Sequence, residues 1–219
     1  MLAINQKQEH TGSYYAATAN EKTDYPVLEG AQSADICVVG GGFTGVATAL
    51  TLAERGYSVA LVEANRVGWG ASGRNGGQLI NGISGLWKIA KKRGDGIADM
   101  VWDIKWRGND IVYDRVEKYG IRCDLKPGFV EVATKKRHLA YLDEYVEERV
   151  KHNHPYEYET WDREKTRDLL GTDQFLGAFA CYRDGHLHPL NLCIGEARAA
   201  HELGVKIFEQ SPVTDIEHG

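Results

Sequence analysis

An uninterrupted apolar run, Ile36-Cys37-Val38-Val39, follows a polar arm of residues 1–34 that shows little periodicity beyond an anchoring pair, Tyr14 and Tyr15. Four consecutive apolar residues predict a parallel strand buried on both faces. From Val46 to Arg55 the pattern becomes helical, with Ala47, Leu50 and Ala53 on one face and Gly56 placed to end the helix. Tyr57–Val62 predicts a second strand, closed by Glu63. Strand, helix and strand fit between Asp35 and Glu63, the size of one βαβ unit.

Residues 64–85 contain seven glycines and little periodicity. A loop this long in a compact domain is usually functional or disordered. Helical spacing then returns: Ile97, Val101, Ile104 and Ile111, with Gly108 between them, predict one buried stripe. Trp102 and Trp106, four apart, read as core. Pro127-Gly128 predicts a turn into a strand at Phe129–Ala133. Leu139, Leu142 and Val146 mark a helix, followed by a strand at Tyr156–Thr160, a short helix at Asp162–Leu170 and a strand at Gly177–Tyr182. Pro189 suits the first turn of a helix running to about Leu203, and Val205–Phe208 predicts a last strand. The expected fold is therefore α/β: a Rossmann-type βαβ unit and glycine-rich loop over 35–85, an α+β insertion over 86–185, and a return to the first domain over 186–219.

Composition narrows the function classes. A formal net charge of -5 argues against a general nucleic-acid binder, which needs a basic face. No apolar run is long enough to span a bilayer, and the N-terminus has no basic segment leading into an apolar one, so no signal peptide is expected. The four cysteines, Cys37, Cys123, Cys181 and Cys193, form no Cys-x-x-Cys pair. They are expected to be buried and reduced, in a cytoplasmic setting. His186 and His188 lack a third ligand at metal spacing, so no metal is expected; a turn histidine capping the helix after Pro189 is one reading, and a pocket residue at His188 is the alternative. His152 and His154 read as surface residues.

The chemistry lies in the glycines. Gly40-Gly41-Gly42-Phe43-Thr44-Gly45 satisfies G-x-G-x-x-G after an apolar strand and at the start of a helix. Gly40 allows the tight turn, Gly42 lets the backbone approach a pyrophosphate, and Gly45 lets helix and strand pack closely. The helix start at Phe43 and Thr44 offers free N–H groups and the positive end of a dipole. Glu63, 23 positions after Gly40, can accept hydrogen bonds from ribose hydroxyls and would repel a 2′-phosphate. Ala64 and Asn65 continue that side of the expected contact set. NAD and FAD share this half-site, and the segment ending in Gly70-Ala71-Ser72-Gly73-Arg74-Asn75-Gly76-Gly77-Gln78 decides between them. Its glycine N–H groups, the Ser72 hydroxyl, the Arg74 guanidinium and the Asn75 amide suit a pyrophosphate and the edge of an isoalloxazine ring. FAD is the expected cofactor.

VVGGGFTG at Val38–Gly45, followed by LVEANRVGWGASGRNGGQ at Leu61–Gln78, resembles the D-amino-acid oxidase and glycine oxidase family of flavoproteins. SYYAATAN at Ser13–Asn20 and DGHLHPLNL at Asp184–Leu192 extend the resemblance along the chain. It implies oxidation of a small-molecule primary amine in polyamine breakdown, with oxygen as electron acceptor. It also implies that the backbone near Val213 borders the adenine. Members are about twice this long, so the sequence resembles their N-terminal half. No motif dictates a catalytic acid or base, and oligomeric state is left open.

Overall fold

The computed structural model describes residues 8–81 and 92–217. The chain divides into two compact units: Met1–Gly77 with Tyr113–Asp124 and Leu187–Gly219, and Gln78–Val112 with Leu125–His186. Residues 113–124, expected within the insertion, thus group with the glycine-rich turn.

In the first unit a short helix α1 (Tyr14–Ala17) precedes β1 (Ile36–Val39), α2 (Phe43–Glu54) and β2 (Val59–Val62). The unit ends with α6 (Pro189–Glu202) and β7 (Lys206–Phe208), numbered in chain order through the second unit. The sheet is parallel in the order β1-β2-β7, registering Val38 on Leu61 and Leu61 on Ile207. One face packs under α2 and α6, joining Val46 and Leu50 to Val59, Leu61, Ala197 and Ile207. Each fully buried aliphatic side chain contributes about 1.5–3 kcal/mol by leaving water. The other face, Ala60, Val62 and Phe208, is covered by Leu28 and Ala34 of the arm.

That cover stops at β2. On β1 only Val38 is buried, while Cys37 is exposed and Val39 is 58% exposed. The expectation of a first strand buried on both faces, and of four buried cysteines, is therefore corrected at these positions. Cys37 and Val39 sit level with Ala60 and Val62, on the face the arm leaves bare.

A buried ion pair fixes the helical segment of residues 113–118 that belongs to this unit: Arg115 Nη1 donates to Glu196 Oε1 at 2.8 Å, and Nη2 donates to Thr51 Oγ1 at 2.7 Å. Burial pushes the Glu196 carboxyl above the usual carboxylate range, and Arg115 opposes that shift.

The second unit contains β3 (Gln78–Leu79), most of α3 (Asp95–Lys118), β4 (Lys126–Val132), α4 (Lys136–Lys151), β5 (Tyr158–Trp161), α5 (Arg163–Leu170) and β6 (Ala178–His186). β6 is the central strand, antiparallel to β3, β4 and β5. Pro127-Gly128 is not a turn before β4. It lies inside the strand, where the register shifts between Pro127 and Phe129 and Gly128 takes a φ of +106°.

The stripe predicted on α3 is also displaced. Ile97, Ile104 and Ile111 are exposed, and the buried side is Trp102, Trp106 and Asn109. Two indoles one turn apart bury more apolar area than the isoleucines and decide which side faces Leu142, Phe179 and Cys181. His152 and His154 are not surface residues. His152 stacks on Trp102 at 4.3 Å, and His154 packs on Trp106 at 4.1 Å with both ring nitrogens unpartnered.

Two stability measurements follow. Arg115→Ala strands a buried carboxylate and should cost about 3–5 kcal/mol in urea unfolding, whereas the apolar pair R115M/E196L should cost far less. Equal losses would show that the ion pair is not the cause. For His154, burial first, then Arg149 and Lys105, lower its pKa to about 4 against Asp110. The unfolded chain therefore binds a proton that the folded chain refuses. Stability should fall as pH drops from about 6.5 toward 4, and H154F should flatten that slope in thermal melts.

Candidate functional site

Gly40 leaves β1 with a φ of +102°, and its N–H donates to the Val62 carbonyl at 2.8 Å. The turn then closes onto the first turn of α2. A Cβ on Gly45 would lie 1.9 Å from the Gly40 carbonyl oxygen, so only glycine permits this approach. Gly42 is the N-cap of α2 and supplies no side chain, so the terminal N–H groups are directed at whatever acceptor lies in front of the turn.

Two side chains frame that opening. The Phe43 N–H donates to Ser72 Oγ at 2.9 Å, which leaves the Ser72 hydrogen for an anion. Glu63 Oε2 accepts from the Gly41 N–H at 2.6 Å and Oε1 from the Asn65 N–H at 2.8 Å. Each carboxylate oxygen keeps a lone pair for a hydroxyl. The Glu63 backbone is clamped from both sides, donating to Phe208 O and accepting from Ser211 N, each at 2.8 Å.

Ala64 and Asn65 run alongside Glu63, and the Asn65 carbonyl accepts from Gln210 N at 2.8 Å. Gly70 opens a 3-10 turn at Ala71–Gly73. Asn75 is engaged within its own loop rather than offered outward. Its Nδ2 donates to Ala71 O and Ser72 O, and its Oδ1 accepts from Gly77 N at 2.9 Å. Arg74 and Gly76 are exposed, with the Arg74 guanidinium 4.2 Å from the Trp69 ring centre. Gly77 is buried, its carbonyl accepting from Leu187 N at 2.7 Å. The structure thus brings Gly40–Gly45, Glu63–Asn65 and Ser72 together. Thr44 is exposed on the first turn of α2, Gln78 pairs with His186 in the second unit, and Val213 lies in irregular chain after β7.

The sequence reading missed the support behind this cradle. Glu209 is fully buried and accepts from Arg66 Nη1 at 2.9 Å, Val67 N at 2.7 Å, Tyr25 N at 3.2 Å and the Thr23 hydroxyl. A signal existed: Glu209 follows β7 as Glu63 follows β2. The arm is likewise fastened. His188 Nδ1 accepts from Asn191 N at 3.1 Å as the N-cap of α6, and Nε2 meets Thr18 Oγ1 at 3.1 Å. Thr18 donates to Tyr14 O, so it accepts from His188, and the ring is the neutral Nε2–H tautomer. Burial lowers the His188 pKa, favouring that neutral form. Tyr15 packs on the same ring at 4.9 Å, while Tyr14 is 73% exposed and meets Tyr15 edge-on at 5.5 Å. Among the described residues no group of three His, Cys, Asp or Glu side chains could hold a metal, and no helix is long and apolar enough to cross a membrane.

A parallel sheet with a glycine turn, an uncapped helix start and a clamped carboxylate on the next strand defines a nucleotide-binding unit of the Rossmann type. The model of the family described as FAD dependent oxidoreductase matches residues 35–219, and the chain belongs to that family. It is 43% identical over 210 residues to the probable oxidoreductase OrdL of Haemophilus influenzae, covering 95% of this chain and 49% of that protein. It is 42% identical to gamma-glutamylputrescine oxidoreductase of Escherichia coli, covering 96% of this chain and 49% of that protein. The chain spans about half the length of these relatives. In fold it resembles glycine oxidase from Bacillus cereus, with a TM-score of 0.65, 23% identity and coverage of 85% of this chain and 49% of that one. It also resembles L-amino acid deaminase from Proteus myxofaciens, with a TM-score of 0.71, 24% identity and coverage of 91% and 44%.

Because the atom facing Gly45 is backbone, it cannot rotate away. Gly45→Ala should lower the melting temperature and abolish FAD retention, read from flavin absorbance of the purified chain. Full retention would show that the close approach is not required.

Proposed function

We propose that this chain carries the cofactor-holding part of an amine oxidase acting on gamma-glutamylputrescine or a closely related primary amine. The observation that carries the reading is 42% identity with gamma-glutamylputrescine oxidoreductase along 96% of the chain. The cradle fits the group it would hold. Bound FAD supplies a two-electron acceptor for the hydride on the carbon next to the amine. In the overall reaction amine, oxygen and water become aldehyde, ammonia and hydrogen peroxide, with the C–N bond broken after oxidation to the imine.

The residues of this chain divide the work of binding. The N–H groups at the start of α2 and the Ser72 hydroxyl face a pyrophosphate, and Glu63 accepts the ribose hydroxyls. Arg74 adds the loop's positive charge. The backbone near Val213 remains the proposed neighbour of the adenine. A second reading rests on coverage of only 49% of either relative: the chain binds FAD but turns over only with the remainder of a longer protein.

The purified chain should be yellow and should release peroxide with gamma-glutamylputrescine but not with sarcosine or glycine. Colour without turnover would favour the second reading, turnover of sarcosine would move the chain to the amino-acid oxidases, and a colourless, inactive chain would defeat both.

A further inference from the structure

The arm touches the segment from Asn65 to Trp69, beside the cradle, through Gln8 and Glu9. Glu9 receives Arg66 in a forked pair, Nε at 3.0 Å from each carboxylate oxygen and Nη2 at 2.7 Å from Oε1. The Glu9 backbone carbonyl accepts the Trp69 indole N–H at 3.0 Å. Gln8 N donates to Asn65 Oδ1 at 3.1 Å, and Gln210 Nε2 donates to Glu9 Oε1 at 3.0 Å. Over the indole ring, the Arg74 guanidinium lies 4.2 Å from its centre.

These contacts form a relay. An exposed arginine on a glycine-rich loop has many rotamers of similar energy, and an aromatic face selects among them. That face is useful only if the indole itself is held, and its single N–H is bonded to Glu9. We propose that Trp69 is a positioning residue for the cofactor, held by the N-terminal arm at Glu9 and in turn seating Arg74. This rests on the reading of residues 68–78 as a flavin loop. It gives the arm a task beyond covering the sheet, since Leu28 and Ala34 already do that.

The test uses the full chain with FAD as titrant. Trp69→Leu removes the aromatic face and Arg74→Ala removes its cation. Each should raise the Kd for FAD about five-fold, and the double variant should be no weaker than either single one. Trp69→Phe, which keeps the face and loses the N–H, should lie between wild type and Trp69→Leu. Deleting residues 1–10, which also frees Arg66 and Asn65, should weaken binding at least as much as Trp69→Phe. Multiplicative effects of W69L and R74A, or unchanged affinity in both W69L and the deletion, would overturn the proposal.

Amide exchange across Arg66–Arg74 in the FAD-free chain gives a second measurement. Exchange should quicken when residues 1–10 are deleted, and unchanged exchange would also overturn the proposal. If no form of the chain takes up FAD while exchange still quickens, the arm's hold on the loop stands and the flavin reading fails instead.

Discussion

One carboxylate with no solvent access organises the first unit. Glu209 follows β7, and its two oxygens gather donors from two separate stretches: Thr23 and Tyr25 of the arm, and Arg66 with the Val67 backbone of the loop. A charge at this depth is tolerable only with such a full set of partners. The requirement works in both directions. The carboxylate needs the arm and the loop in place, and both are irregular segments that gain a fixed course from it. The glycine turn in front is rigid by sterics, whereas the loop beside it is rigid because Glu209 and Glu9 hold Arg66.

Much of this was legible in the chain itself. The βαβ unit, its fingerprint and the answering Glu63 follow from local rules, because each residue's task is set by the turn it occupies. The short helix after Asp162 and the long one after Pro189 were readable for the same reason. What escaped depended on partners distant in sequence. Periodicity offered an isoleucine stripe on α3, but the choice of buried side lay with two tryptophans and the sheet they meet. β1 looks doubly buried from composition alone, and only the extent of the arm's cover shows otherwise. Glu209 was unremarkable until its neighbours, more than 140 positions earlier in the case of Val67, were brought alongside.

The two motifs that sequence reading could quote but not explain, Ser13–Asn20 and Asp184–Leu192, prove to meet each other. Thr18 pairs with His188, and the Asn20 N–H donates to Asn191 Oδ1 at 2.9 Å. Within this unit the motif histidine acts as a neutral cap and a docking point for the arm. His188 thereby joins the two motifs, its ring capping α6 on one side and holding Thr18 of the arm on the other.

Cys37 gives the bare strand a practical meaning. Among the described residues it is the one exposed thiol, and it lies on β1, which is hydrogen-bonded there to β2 alone. An open strand edge invites another strand to join it. Whatever comes to lie over this face, be it more polypeptide or a neighbouring molecule in a concentrated preparation, has to pass over that sulfur. The chain therefore contains its own gauge of coverage: the rate at which a thiol reagent labels Cys37 reports whether this face is bare or covered.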